Sequence, residues 1–182
     1  MKRKARGALV VVLGLTWPTA AGPALASGSK YEPAWLELKR MAGTWEILRE
    51  VDETPRDRVS YHVTSGGSVV FEEFLGQEGE GVERMATAYH FDEDDLVATH
   101  YCGAGNQPRM RAVSWNAEKR TLQMDFWDVT HLPDPEAYYT TNIRLEFLDD
   151  ENVLLSFRGR EEGELLDWSE KRLRRLSRRS YE

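Results

Sequence analysis

From Trp45 to the end of the chain, about ten short runs rich in β-branched and aromatic residues follow one another at roughly the 8 to 12 residue spacing of all-β sandwiches and barrels. They fall near 44–52, 57–65, 67–76, 82–91, 95–102, 108–116, 120–128, 137–148, 152–160 and 164–176. Turn chemistry separates them: Gly66-Gly67, the glycine-rich stretch 76–81, Asp92 to Asp95, Asn116 to Lys119, Asp149 to Asn152 and Glu161 to Gly163. Several runs alternate cleanly, with Leu122, Met124 and Phe126 against Gln123 and Asp125, and Ile143, Leu145 and Phe147 against Arg144 and Glu146. Val153, Leu155 and Phe157 continue the pattern, so one face of each run is expected to be buried. A short helix over Glu32 to Met41 comes first, with Pro33 at its start, Trp35, Leu36, Leu38 and Met41 as its apolar contacts and Gly43 as its end. With so little helix to cover strand edges, closure into an up-and-down barrel removes them outright. The expected fold is all-β: an antiparallel barrel of about ten strands behind one helix. A two-sheet sandwich is the alternative.

The first residues set the expected compartment. Lys2, Arg3, Lys4 and Arg6 form a basic stretch, Ala8 to Leu15 an apolar one, and Ala24-Leu25-Ala26 a small-x-small cleavage site. This predicts a signal peptide over 1–26 and a single domain over 27–182, exported to the periplasm or secreted. The apolar run is shorter than the roughly 20 residues a spanning helix needs, and no later stretch is longer, so no transmembrane segment is expected in the mature protein. Removal of the leader takes the formal charge from −7 to −11, because it carries four basic residues and no acidic one. Such an acidic body argues against nucleic acid as a partner. The basic residues Lys171, Arg172, Arg174, Arg175, Arg178 and Arg179 are read as a solvated last strand, with contact to an acidic partner or anionic lipid as the alternative. Cys102 is the only cysteine, so packing rather than a disulfide framework must hold the domain.

Two segments carry a resemblance. A short helix followed by Met41-Ala42-Gly43-Thr44-Trp45-Glu46 resembles the opening of lipocalins and related calycins. The resemblance implies that Trp45 closes one end of the barrel and packs beneath an arginine of the last strand, Arg172 or Arg174. The stretch Thr99-His100-Tyr101-Cys102-Gly103-Ala104-Gly105-Asn106-Gln107-Pro108-Arg109-Met110 is similar to one in exported bacterial calycin-like proteins of unknown function. Tyr89-His90 and Asp128-Val129-Thr130 resemble the same proteins. The likeness spans most of the mature chain and implies a fold and a site, but no assigned activity. It departs at Tyr138-Tyr139, where those proteins tend to carry His-Met, and so assigns that pair no role.

The residues also speak for themselves. A two-residue turn at Glu93-Asp94 pairs Phe91 with Leu96, Tyr89 with Ala98, Thr87 with His100 and Met85 with Cys102. That face is the more apolar and is taken as interior, with His100 and Cys102 inside and His90 outside. Glu93 is not a favoured residue for so tight a turn, and a slip of one residue would reverse every assignment. The loop from Gly103 to Pro108 sets the amides of Asn106 and Gln107 and the guanidinium of Arg109 beside this strand. Convergent polar groups at the mouth of an apolar cavity make His100, Cys102, Asn106, Gln107 and Arg109 the candidate site for a small, partly apolar ligand. Alternatively the two amides satisfy loop backbone groups and Arg109 caps carbonyls or pairs with Glu72 or Glu73. Tyr61 and Glu72 complete a polar pocket only if their strands face inward, which the sequence leaves open.

Three further chemistries were weighed. Thiol catalysis needs His100 within reach of Cys102 and an oxyanion hole the sequence does not mark. A metal site would recruit His62, His100 and Cys102, without dense ligand spacing. The nitrobindin branch of the calycins implies haem, with His100 as the candidate ligand. A structural or protein-interaction barrel without a ligand is the remaining class. Trp115, Trp127 and Trp168 are expected to fill the core rather than line a pocket.

Overall fold

The computed structural model describes residues 28–49, 55–76 and 85–178. The expected signal peptide, 1–26, and Arg179 of the basic tail lie outside them. The elements run α1 (Glu32–Arg40), β1 (Gly43–Leu48), β2 (Pro55–Thr64), β3 (Val69–Gly76), β4 (Ala86–Asp92), β5 (Asp95–Tyr101), β6 (Gln107–Asn116), β7 (Thr121–Thr130), β8 (Tyr139–Phe147), β9 (Asn152–Glu161), β10 (Glu164–Leu165) and β11 (Ser169–Arg178). Each strand from β1 to β9 pairs with the next, and β11 pairs with both β9 and β1. Leaving out the two-residue β10, the other ten strands therefore close into an antiparallel up-and-down barrel, not a sandwich. The last run is one hairpin arm broken at Leu166–Trp168. Leu165 faces Arg160 but Ser169 faces Phe157, a slip of one residue across the break.

One end of the barrel is plugged. Trp35 and Leu38 of α1 are fully buried, and Trp35 meets Phe91 edge-on at 5.6 Å. Burial of each such side chain contributes about 1.5–3 kcal/mol. Leu36, expected among the apolar contacts, is instead 45% exposed, because the helix is wetted on that side. The plug is also tied down by polar bonds: the Tyr31 hydroxyl donates to the Ala112 carbonyl at 2.6 Å, and Ser29 donates to the Asp94 carbonyl at 2.7 Å. Glu37 holds Arg120 at 2.8 Å and Arg40 at 2.9 Å.

Trp45 donates its indole N–H to the Met41 carbonyl at 2.8 Å. The arginine above it is Arg175, 4.0 Å from the ring centroid, rather than Arg172 or Arg174. A bulge explains the difference: Thr44 pairs with Ser177 but Trp45 with Arg175, which skips Leu176 and turns Arg175 inward. Arg174 faces outward on Glu46. Gly43 ends no helix, since α1 stops at Arg40; it is needed because a Cβ there would collide with the Ser177 carbonyl of β11.

The tryptophans divide. Trp115 packs on the core, edge-on to Phe147 at 6.2 Å. Trp127 and Trp168 are outer-face residues, contrary to expectation. Trp127 lies under Arg109 at 4.5 Å and Arg111 at 3.5 Å, and Trp168 under Arg144 at 4.8 Å and Arg158 at 4.9 Å. Phe126 keeps its register opposite buried Met110 but is 41% exposed, since it lies past the last β7–β8 pair, Asp125 with Asn142, where its ring meets Tyr139 at 5.3 Å. Among the described residues no helix is long and apolar enough to cross a membrane.

Candidate functional site: the barrel lumen

The β4–β5 hairpin forms with a two-residue turn. Phe91 faces Leu96, Tyr89 faces Ala98, and Thr87 faces His100. Glu93 accommodates the turn by adopting φ 56°. His100 and Cys102 therefore look into the barrel, and with Met85, Thr87 and Tyr89 they line a cavity of about 290 Å³. Its apolar wall comes from Ile47, Val59, Phe74, Ile143, Leu155 and Leu173. Glu72, Tyr138, Thr140, Phe157 and Lys171 complete it. The volume matches about ten waters at about 30 Å³ each, at the lower end of the range for small-molecule pockets.

The strand register builds a polar row across this cavity. Tyr61 on β2 faces Glu72 on β3, Glu72 faces Thr87 on β4, and Thr87 faces His100 on β5. Directly opposed residues share a face, so the four lie side by side on the inner wall. Thr87 Oγ1 donates to Glu72 at 3.3 Å and lies 3.0 Å from His100 Nδ1. Tyr89, one step nearer the plug, donates its hydroxyl to the other Glu72 oxygen at 3.0 Å. The Tyr61 hydroxyl is close enough to feel the Glu72 charge but makes no hydrogen bond of good geometry.

Electrostatics follow from enclosure. Burial raises the Glu72 pKa, against the lowering effect of the surrounding hydroxyls. Burial next to that carboxylate pushes Tyr61 and Tyr89 well above the usual phenol value. His100 is lowered to about 4 by burial and is neutral. Glu72 and His100 still keep some accessible surface, and that surface is the lumen's own.

The remaining candidates sit elsewhere. Asn106 is fully buried beside the lumen mouth, where its amide donates to the Tyr138 carbonyl at 2.7 Å and its backbone carbonyl accepts from Cys102 N at 3.1 Å. Its side-chain oxygen has no partner. Gln107 donates to the Gly105 carbonyl at 2.8 Å and accepts from Thr130 at 3.1 Å, outside the cavity lining. Arg109 stands on the outer face of β6, held by two bonds to Asp128 and stacked on Trp127. Its alternation with Met110 and Ala112, both buried, is the sequence signal that would have put it there. His62 is bonded to Ser60 at 3.1 Å and does not line the cavity with His100 and Cys102. No group of metal-ligating side chains gathers among the described residues.

Two residues that the sequence left unassigned, Tyr138 without a role and Glu72 without a phase, belong to the lumen. Tyr138 lies against the backbone of Gly159, where a Cβ would strike the ring and would sit 2.7 Å from the Tyr139 carbonyl. Glu72 is the acidic centre of the row. A larger groove of about 440 Å³ borders Trp45 and Arg175 at the plugged end, but the charged side chains lining it are engaged with one another, as Glu37 is with Arg40 and Arg120. Comparison of the sequence with protein-family profiles and with curated proteins finds no match.

Proposed function

We propose that this protein is a calycin-type carrier, exported from the cell, that holds a small, partly apolar molecule non-covalently inside its barrel. The observation carrying this reading is the lumen itself: about 290 Å³ with a mostly apolar wall, a hydrogen-bonded polar row on one side and a helix plug at one end. Apolar walls with a few convergent polar groups are how small-ligand pockets are made. Of the five candidate residues, His100 and Cys102 contribute directly, Asn106 supports the mouth through Tyr138, and Gln107 and Arg109 act as scaffold.

Thiol catalysis is the weaker reading, because His100 Nδ1 is engaged by Thr87 rather than by Cys102. Haem, implied by the nitrobindin analogy, fits poorly. His100 is enclosed with Glu72, Thr87 and Cys102 in a space smaller than a tetrapyrrole needs.

The test is the mass of anything that co-purifies with the mature protein taken from its native compartment, read with an absorbance scan for haem. The expected result is a reproducible small organic species without a haem band, lost in an Ile143→Trp variant that fills the lumen. A protein that arrives empty and takes up no small apolar probe would overturn the reading.

A further inference from the structure

We infer that the row Glu72–Thr87–His100 is a receptor for the ammonium head of a compact apolar amine. The inference rests on the reading that the lumen holds a ligand, and it names that ligand's class.

The argument begins with charge. Glu72 lines the cavity, and its hydrogen-bond partners are the hydroxyls of Thr87 and Tyr89. Among the described residues no cationic side chain bonds it, and Lys171, which lines the same cavity from β11, makes no hydrogen bond to it. Buried carboxylates are ordinarily paired with a cation, because an isolated charge in a dry site is costly. Among the described residues the lumen thus holds one acid that no basic side chain bonds.

Proton counting adds the second step. Thr87 has one hydroxyl proton, and with Glu72 ionised it goes to the carboxylate. The Thr87 oxygen must then accept from His100, which places the imidazole proton on Nδ1. His100 Nε2 is left as an acceptor, on a ring that lines the cavity. Glu72 itself can accept about four hydrogen bonds; Thr87 and Tyr89 use two, and the Tyr61 hydroxyl lies against it as a third donor, which leaves room for a guest's N–H. With Glu72 ionised, what the row offers a guest is therefore acceptors together with a negative charge, and a bound cation is what would favour that ionised form against burial.

An ammonium group answers both, with three N–H donors and a positive charge. Charge-assisted bonds of this kind are roughly twice as strong as neutral ones. A carboxylate head would bring a second anion against Glu72, and a neutral hydroxyl would satisfy one acceptor and no charge. The ammonium would also lower the carboxyl pKa that burial has raised, so the pair is stabilised jointly. The apolar wall and the volume of about 290 Å³ limit the rest of the molecule to a ring or a short chain.

The experiment is a calorimetric titration of the full mature protein with 2-phenylethylamine, 2-phenylethanol and 3-phenylpropionate, repeated on Glu72→Gln. That substitution keeps the shape and removes the charge, while one of the two accepting oxygens becomes an NH2 donor toward the Thr87 or Tyr89 hydroxyl, and circular dichroism checks the fold. The amine should bind about tenfold or more tightly than the isosteric alcohol. In Glu72→Gln the amine's advantage over the alcohol should vanish, whatever the change in the affinity of both. Equal binding of amine and alcohol, or a preference that survives Glu72→Gln, overturns the inference but leaves a ligand-binding lumen standing. Preferred binding of phenylpropionate, lost in Lys171→Met, overturns it in favour of an anion site. No binding of any probe also overturns it, and the co-purification experiment then decides separately whether the lumen carries something else.

Discussion

His100 carries its neutral charge state as a stability term. Burial lowers its pKa from 6.5 to about 4, so the folded protein binds fewer protons than the unfolded chain between those values. The stabilisation is complete above about 6.5 and is lost as pH falls through about 4, a difference on the order of 2–3 kcal/mol. Glu72 works in the opposite sense. Its raised pKa stabilises the fold below the usual carboxylate range, and that contribution is lost as pH rises. The two are separated by comparing wild type with His100→Gln in urea titrations at pH 7 and pH 4. Wild type should lose about 2 kcal/mol more than the variant over that interval. Parallel losses would show that His100 is not held neutral by the lumen. At this scale the sequence was partly legible. Thr87, His100 and Cys102 could be placed from one hairpin because both arms alternate and a two-residue turn fixes their register. Glu72 and Tyr61 could not, because no comparable turn fixed the phase of β2 and β3.

Between β8 and β9 the decisive element is a glycine with no turn to make. Gly159 pairs with Thr140, and the space where its side chain would be is occupied by the Tyr138 ring and the Tyr139 carbonyl. Gly159→Ala should therefore cost about 1–3 kcal/mol by overpacking and push Tyr138 from the lumen mouth. Chemical denaturation reads the first effect and the Tyr138 ring resonances the second. In Tyr138→Ala the cost should shrink but not vanish, because the Tyr139 carbonyl remains 2.7 Å away. An unchanged cost in that background would place the strain in the backbone alone. Bulges are what alternation could not foresee. The extra residue at Trp127 brings Asp128 opposite Arg109 on the outer face, and the one opposite Thr44 and Trp45 selects Arg175 over its neighbours. Each is set by strands that must meet around a closed ring, a constraint that no single run contains.

For the whole molecule, closure depends on β11, and Arg175 fastens it. Its side chain is only 4% exposed, stacks on Trp45, and donates to the carbonyls of Arg40, Ala42 and Asp150. One residue so joins α1, the start of β1, the β8–β9 turn and the last strand. Arg175→Met should lower stability by about 2–4 kcal/mol, combining a desolvated cation–π contact with unpaired carbonyls. Arg174→Met, which removes a half-exposed guanidinium from a Glu46 carboxylate only 10% exposed, should cost less, about 1–2 kcal/mol. Equal midpoint shifts in guanidinium for the two variants would contradict this division. The architecture itself was readable because about ten short runs with little helix have few ways to hide their edges. Which end was plugged, and by which arginine, was readable only as a resemblance.

The polar row has one more consequence, for how such a protein can change. Tyr61, Glu72, Thr87, Tyr89 and His100 lie on four consecutive strands, whereas the fastening of the barrel rests on α1, β1 and β11. The polar contacts of the lumen and the fastening of the barrel are thus written in separate stretches of chain, although β1 and β11 also give Ile47, Lys171 and Leu173 to the lumen wall. The stretch from β2 to β5 can drift toward a new guest, residue by residue, while the closure that keeps the vessel whole is inherited unchanged.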